Sequence, residues 1–186
     1  SQLVNEKINL AVSLCHYERY IGGSTAVEKE REDSILRFIE SIVNTYSNID
    51  KITFFEFNGN EKNGDIHIIE EFNRKISKKI STKIVRYTYD TEEICKELNE
   101  CNFLVGTRLH SGILAYALEI PFILVEYHAK CTEFLNTINH QYRFDIKNDE
   151  KNIENFQVLW DNRLIPEVKD LADFRNILLN ELRSIE

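Results

Sequence analysis

Residues that interrupt regular structure are scarce: the 186-residue chain holds six glycines and two prolines. Such a composition excludes a low-complexity linker of any length. Long apolar runs are missing too. Stretches such as residues 120–125 fall far short of the roughly 20 residues a spanning helix needs, and residues 1–7 lack the apolar stretch of a secretory signal. Neither a membrane span nor export is expected. Positive charge is in deficit, with 23 Lys and Arg against 31 Asp and Glu and a net charge of −8. A phosphate polymer or anionic lipid would meet net repulsion, and no run of like charge offsets it, so nucleic acid is not an expected partner. The four cysteines, Cys15, Cys95, Cys101 and Cys131, contain no CxxC pair. They are expected to be reduced thiols of a cytoplasmic protein, with metal ligation a poor second choice; no metal site and no cofactor are expected. Internal repeats are absent, as are HExxH and GxSxG, so no hydrolase is nominated.

What is present is ordinary globular material, 42% apolar and 29% charged, enough for one sizeable core. Its apolar period switches repeatedly between two and 3.6. Residues 7–15 (KINLAVSLC) suit a buried strand, and residues 16–24 form a loop broken at Gly22 and Gly23. From residue 25 or 26 to about 46, Ile35, Leu36, Phe38, Ile39, Ile42 and Val43 recur at helical spacing. Residues 51–57 are strand-like and 58–64 a polar turn, after which Asp65 is a candidate cap for a helix carrying Ile68, Ile69, Phe72 and Ile76. Residues 83–87 make a third strand, and a helix from residue 90 or 91 carries Ile94 and Leu98. A fourth strand at 103–106 precedes a helical face of Leu109, Ile113, Tyr116, Ala117 and Ile120. Pro121 ends that helix and residues 122–125 form a fifth strand. Helices near 129–138, 153–160 and 167–185 close the chain. Strands alternating with helices need crossover connections. The expected fold is therefore α/β, a doubly wound, mostly parallel five-stranded sheet with helices on both faces. Residues 1–186 would form a single domain, with closing helices at 150–186.

Ligands in such folds gather beyond the carboxyl ends of the strands, where the strand order reverses, commonly with the first strand beside the fourth. Cys15, His16 and Arg19 follow the first strand, Thr107, Arg108 and His110 the fourth, and Tyr127, His128 and Lys130 the fifth. This gathers cationic and proton-donating side chains at one edge of an acidic protein, which points to an anionic small molecule. Arg108 falls in the first turn of a helix, where a cation is normally unfavourable by about 0.3–1 kcal/mol and a bound anion would offset the cost. Its planar fork suits a carboxylate or phosphate, Lys130 adds a point charge, and His110 brings an imidazole, a group that can donate a proton near neutral pH. Structural alternatives stand beside this. Arg108 can reach solvent or pair with Glu126 or Asp161, and His110 can bond a neighbouring carbonyl. His16 and His128 can be structural or surface residues, and Gly22-Gly23-Ser24 a simple turn.

Residues 103–134, FLVGTRLHSGILAYALEIPFILVEYHAKCTEF, resemble the polysaccharide pyruvyl transferase family. In that family a strand runs into G-x-R-[LM]-H, then a helix, then G-x-P before a strand and Y-x-x-K. Gly106, Arg108, Leu109, His110, Pro121, Tyr127 and Lys130 match, and Glu119 stands where the family has glycine. The resemblance implies transfer of the enolpyruvyl unit of phosphoenolpyruvate to a sugar of a surface polysaccharide or its lipid-linked precursor, giving a pyruvate ketal and phosphate. It further implies a two-lobed enzyme of the GT-B type with Rossmann-like lobes, of which this chain would be the carboxyl-terminal, donor-binding one. An amino-terminal lobe would serve the acceptor, in the cytoplasm or at the inner face of the membrane. Arg108 would hold the donor and His110 act as acid, with Thr107, Lys130 and Tyr127 as further donor-binding candidates. At the strand-order reversal, and not from the family motif, His16 and Arg19 would form the opposite wall. A nucleotide-sugar glycosyltransferase lobe and a non-catalytic anion-binding or interaction module are the alternatives.

Overall fold

In the computed structural model, which describes residues 7–165, five strands alternate with seven helices. The order is β1 (Ile8–Ser13), α1 (Glu18–Ile21), α2 (Thr25–Thr45), β2 (Ile49–Phe55), α3 (Ile66–Ile76), β3 (Ser81–Val85), α4 (Thr91–Asn99), β4 (Phe103–Gly106), α5 (Leu109–Ala117), β5 (Phe122–Leu124), α6 (Ala129–Thr137) and α7 (Asp149–Asn162). The helix expected at 167–185, and with it most of the expected closing segment, lies outside the described residues.

All strand pairs are parallel and the order is β3-β2-β1-β4-β5. Alternation along each strand then divides the core into two layers. Ile8, Leu10, Val12, Phe54, Phe103, Val105 and Ile123 face α2, α3 and α7. Ala11, Phe55, Leu104, Phe122 and Leu124 face α4, α5 and α6. This is the doubly wound, Rossmann-like lobe expected, with β1 beside β4 at the reversal. Phe156 of α7 packs its ring 4.7 Å from Phe103, 5.2 Å from Tyr46 and 6.4 Å from Phe38 between centroids, fastening α7 to the first layer. Among the described residues no helix is long and apolar enough to cross a membrane.

Three local departures have physical causes. β2 and β3 begin and end two residues before the apolar pattern suggests. The buried Glu56 carboxylate ends the ladder by accepting from Tyr87 N–H at 3.0 Å and Arg86 Nε at 2.7 Å, which leaves Phe57 and Tyr87 in loops. The loop after β1 contains the short α1, not foreseen, closed by Gly22 in the left-handed region at φ 73°. Glu119 also adopts the left-handed region, at φ 57°. A glycine would meet this conformation without the Cβ penalty.

Candidate functional site

The chain leaves β1 toward one face of the sheet and β4 toward the other, opening a crevice between their ends. Buried Thr107 ties this point together: its N–H and its hydroxyl both donate to the Ser13 carbonyl, at 2.8 and 3.2 Å. Thr107 thus braces β4 against β1. At Gly106 any Cβ would collide with the Ser111 hydroxyl, which donates to the Arg108 carbonyl at 2.6 Å. Glycine there lets α5 start directly under the strand end.

Arg108 is the N-cap residue of α5, and its side chain makes no cap hydrogen bond. Its Nε donates to Asp65 Oδ1 and Oδ2 at 3.0 and 3.1 Å, and Nη2 donates to Oδ1 as well. Asp65 is fully buried and also accepts from the N–H groups of Phe57 and Asn58 at 3.2 and 3.0 Å. The helix-capping role expected for this carboxylate is therefore replaced, since it makes no cap hydrogen bond to α3. The ion partners considered for Arg108 are corrected likewise, and Glu126 instead pairs with Arg143 at 3.1 Å. Burial works against the charge of the guanidinium, but Asp65 outweighs it and holds Arg108 more firmly protonated than in water. Burial pushes the Asp65 carboxyl up, against the pull of Arg108 and the two N–H groups. One edge of the fork is thereby fixed, and Nη1 makes no hydrogen bond to the described residues.

Arg108 and His110 line a cavity of about 250 Å³ together with Tyr127, His128 and Lys130. His128 caps α6 by accepting from Lys130 N–H at Nδ1, 3.1 Å away. A neutral His128 ring therefore carries its proton on Nε2. Burial pushes the Tyr127 phenol up, so it remains a proton donor at neutral pH. The starts of α5 and α6 both border this cavity with the positive end of a helix dipole, although in α6 the Lys130 and Cys131 N–H groups are donated to His128. Arg108 and His110 also border a second cavity of about 630 Å³, lined further by Asn58, Asn60, Tyr87 and Tyr89.

His16 and Arg19 line neither cavity and are directed to α2. His16 Nδ1 lies 2.6 Å from Glu32 and 3.8 Å from the fully buried Glu28. Arg19 Nε pairs with Glu28, and Glu28 Oε2 accepts from Tyr17 N–H at 2.6 Å. Burial pushes the Glu28 carboxyl up, but Arg19 and the backbone donors prevail and hold it below the ordinary carboxylate range. Ligand-type atoms of His16, Glu28 and Glu32 lie within 4.8 Å of one another, and the Arg19 guanidinium supplies the cation to these carboxylates. The charge of this loop thus braces α1 on α2.

Arg31 of α2 joins the neighbourhood unannounced. It is buried, pairs with Glu18 at 3.3 Å and lies 5.7 Å from the Tyr127 ring centroid. Its signal lies in the spacing of Glu28, Arg31, Glu32 and Ile35, which puts three charges on the apolar face of a long helix. Cys15, at the end of β1, is buried, and burial pushes its thiol up, disfavouring the thiolate. All four cysteines are free thiols.

Among solved structures the chain is similar to UDP-GlcNAc 2-epimerase of Methanocaldococcus jannaschii in complex with UDP-GlcNAc and UDP. The TM-score is 0.61 at 17% identity, over 97% of this chain and 46% of that one. It is also similar to the Staphylococcus aureus MnaA-UDP structure, with TM-score 0.57, 12% identity, and 99% and 46% coverage. A third match is the Escherichia coli trehalose-6-phosphate structure bound with UDP-2-fluoro glucose, with TM-score 0.53, 11% identity, and 100% and 42% coverage. This chain spans less than half the length of each, and the likeness shows a shared GT-B-type lobe. No curated protein matches the chain in sequence. Residues 11–129, well over half of the chain and including Gly106, Arg108, His110 and Pro121, match the family model for polysaccharide pyruvyl transferase. The chain belongs to the polysaccharide pyruvyl transferase family.

Proposed function

We propose that this lobe binds phosphoenolpyruvate in the smaller cavity and serves a two-lobed cytoplasmic enzyme that transfers its enolpyruvyl group to a saccharide. The observation that carries this is the convergence of Arg108 and His110 from the start of α5 with Lys130 from the start of α6 around one cavity. Phosphoenolpyruvate carries a carboxylate and a phosphate, so its site needs two anion contacts. The Arg108 fork, its orientation fixed by Asp65, suits one of them, and the Lys130 ammonium at the positive end of the α6 dipole suits the other.

His110 is then the acid. Protonating the methylene carbon turns the enol carbon into an electrophile, and the nearby guanidinium stabilises negative charge that builds on the phosphate. One sugar hydroxyl adds to that carbon and gives up its proton. A second hydroxyl displaces the phosphate, breaking the bond from carbon to the bridging oxygen, and its proton leaves with the phosphate. The diol loses two protons, one restoring the proton delivered to the methyl group and one bound by phosphate. No electrons are exchanged with an outside reagent.

Calorimetric titration with phosphoenolpyruvate and, separately, with UDP-GlcNAc tests the ligand class. Binding of phosphoenolpyruvate is expected. Binding of UDP-GlcNAc alone would replace this reading with a nucleotide-sugar site of the kind occupied in the structural neighbours.

A further inference from the structure

The larger cavity has an open aromatic wall. The Tyr89 side chain is 93% exposed, the most exposed of the large hydrophobic residues described, so packing does not explain it. It meets Tyr87 edge to face, with ring centroids 5.1 Å apart and planes at 74°. Tyr87 in turn is held from two sides. Its N–H donates to the buried Glu56 carboxylate at 3.0 Å, and the loop after β2 lies so close to its ring that a Cβ at Gly59 would fall 2.5 to 2.9 Å from three of its atoms. That loop is pinned through Phe57 and Asn58 N–H to Asp65, the carboxylate that also orients Arg108. One buried acid therefore fixes the aromatic wall relative to the proposed reacting residues.

The polar groups of the wall suit hydroxyls. The Asn60 side-chain oxygen accepts from Lys62 and Asn63 N–H at 2.9 and 3.0 Å, and its NH₂ makes no hydrogen bond to the described residues. The same holds for the phenol oxygens of Tyr87 and Tyr89. Charge is sparse. Among the described residues, Arg108 is the one permanently charged side chain lining this cavity, and Asp65 occupies an edge of its fork. A nucleoside diphosphate would bring at least two negative charges to a wall with a single, partly neutralised cation, whereas a pyranose brings none. Sugars offer C–H faces to aromatic rings and hydroxyls to amides and phenols, and a space of about 630 Å³ beside one of about 250 Å³ gives the bulkier reactant the larger room.

We infer that the larger cavity is a saccharide subsite, in which a neutral pyranose stacks on Tyr89 and Tyr87 and presents its hydroxyls across Arg108 and His110 to the donor. The inference rests on the donor reading above and adds to it that this lobe itself holds part of the acceptor. Saturation-transfer difference NMR on the full-length protein tests it with methyl α-glucopyranoside, methyl β-galactopyranoside and N-acetylglucosamine as probes, and with UDP as the competing class. Saturation should reach the ring protons of at least one pyranoside, weaken about tenfold in affinity in Tyr89→Ala, and persist in Lys130→Ala. Because Tyr89 is exposed, its truncation leaves the fold intact. No transfer to any of the three sugars, or transfer indifferent to Tyr89→Ala, overturns the subsite, and Tyr89-dependent binding of UDP alone makes it a nucleotide site. A parallel ³¹P titration with phosphoenolpyruvate separates the two claims. Donor binding without sugar binding removes the subsite, and Tyr89-dependent sugar binding without donor binding keeps the subsite and removes the donor reading.

Discussion

Arg108 and Asp65, 43 residues apart in sequence, meet as a guanidinium edge on a fully buried carboxylate, with Nε 3.0 and 3.1 Å from its two oxygens. The contact sets the direction of the Arg108 fork before any ligand arrives. Removing one member of a buried pair strands the other charge, which typically costs about 3–5 kcal/mol. Asp65→Asn and Arg108→Ala should each lower stability on that scale in urea unfolding, and the double variant Asp65→Asn/Arg108→Met should recover much of the loss. Additive losses in the double variant would show that the pair is not coupled.

Glu119 occupies the left-handed region at φ 57°, a conformation that costs a residue with a Cβ roughly 1–2 kcal/mol. Glu119→Gly removes that strain and loosens the unfolded chain. The net expectation is a gain of up to about 1 kcal/mol, read as a higher urea midpoint. Glu119→Val should lower the midpoint. A destabilised glycine variant would mean that the Glu119 side chain contributes more than its backbone costs.

His140 is buried and its Nε2 lies 2.9 Å from the Phe122 carbonyl. Burial depresses its pKa below the ordinary 6.5. Below pH 6.5 the unfolded chain takes up a proton that the folded chain resists. The stability contribution is thus complete above that pH and is lost as pH falls toward the folded value, with a slope of at most about 1.4 kcal/mol per pH unit. Urea unfolding between pH 5 and 8 should show this slope for the parent and a flatter profile for His140→Gln. Parallel profiles would assign the pH dependence elsewhere.

Gly106 and Ser111 share a space too small for both a Cβ and a hydroxyl. Gly106→Ala should destabilise by roughly 1–3 kcal/mol, as overpacking does, and should disturb the turn that carries Arg108. Adding Ser111→Ala removes the colliding oxygen and should restore part of the loss, giving a positive coupling in a double-mutant cycle. Absence of coupling would place the strain of Gly106→Ala on another contact.

Local periodicity in the sequence was sufficient for the five strands and for α2 to α7, each of which carries its own apolar face, but not for the short α1, which buries no residue. Ile68, Ile69, Phe72 and Ile76 announce α3 without any distant partner. The crevice also followed from the alternation, since β1 beside β4 is a consequence of crossovers that change face. Pairings between distant polar residues were not legible. Asp65 has the ordinary pattern of a helix cap, and only the folded chain shows that its oxygens are taken by Arg108 and two backbone donors. His16 and Arg19 stood at the expected edge, but Glu28 and Glu32, one helical turn apart on α2, hold both side chains inward. Tyr87 resembled the end of a strand until Glu56 ended the ladder before it.

The most direct test compares Arg108→Ala and His110→Ala in one enzyme preparation, following phosphoenolpyruvate binding by calorimetry and phosphate release to a saccharide acceptor by ³¹P NMR. Arg108→Ala should weaken donor binding by about 1.5–3 kcal/mol, as loss of a charge-assisted bond does. His110→Ala should still bind the donor but release phosphate at least about a hundredfold more slowly, the usual worth of a general acid. Donor binding and turnover unchanged in both variants would contradict a donor site at the start of α5.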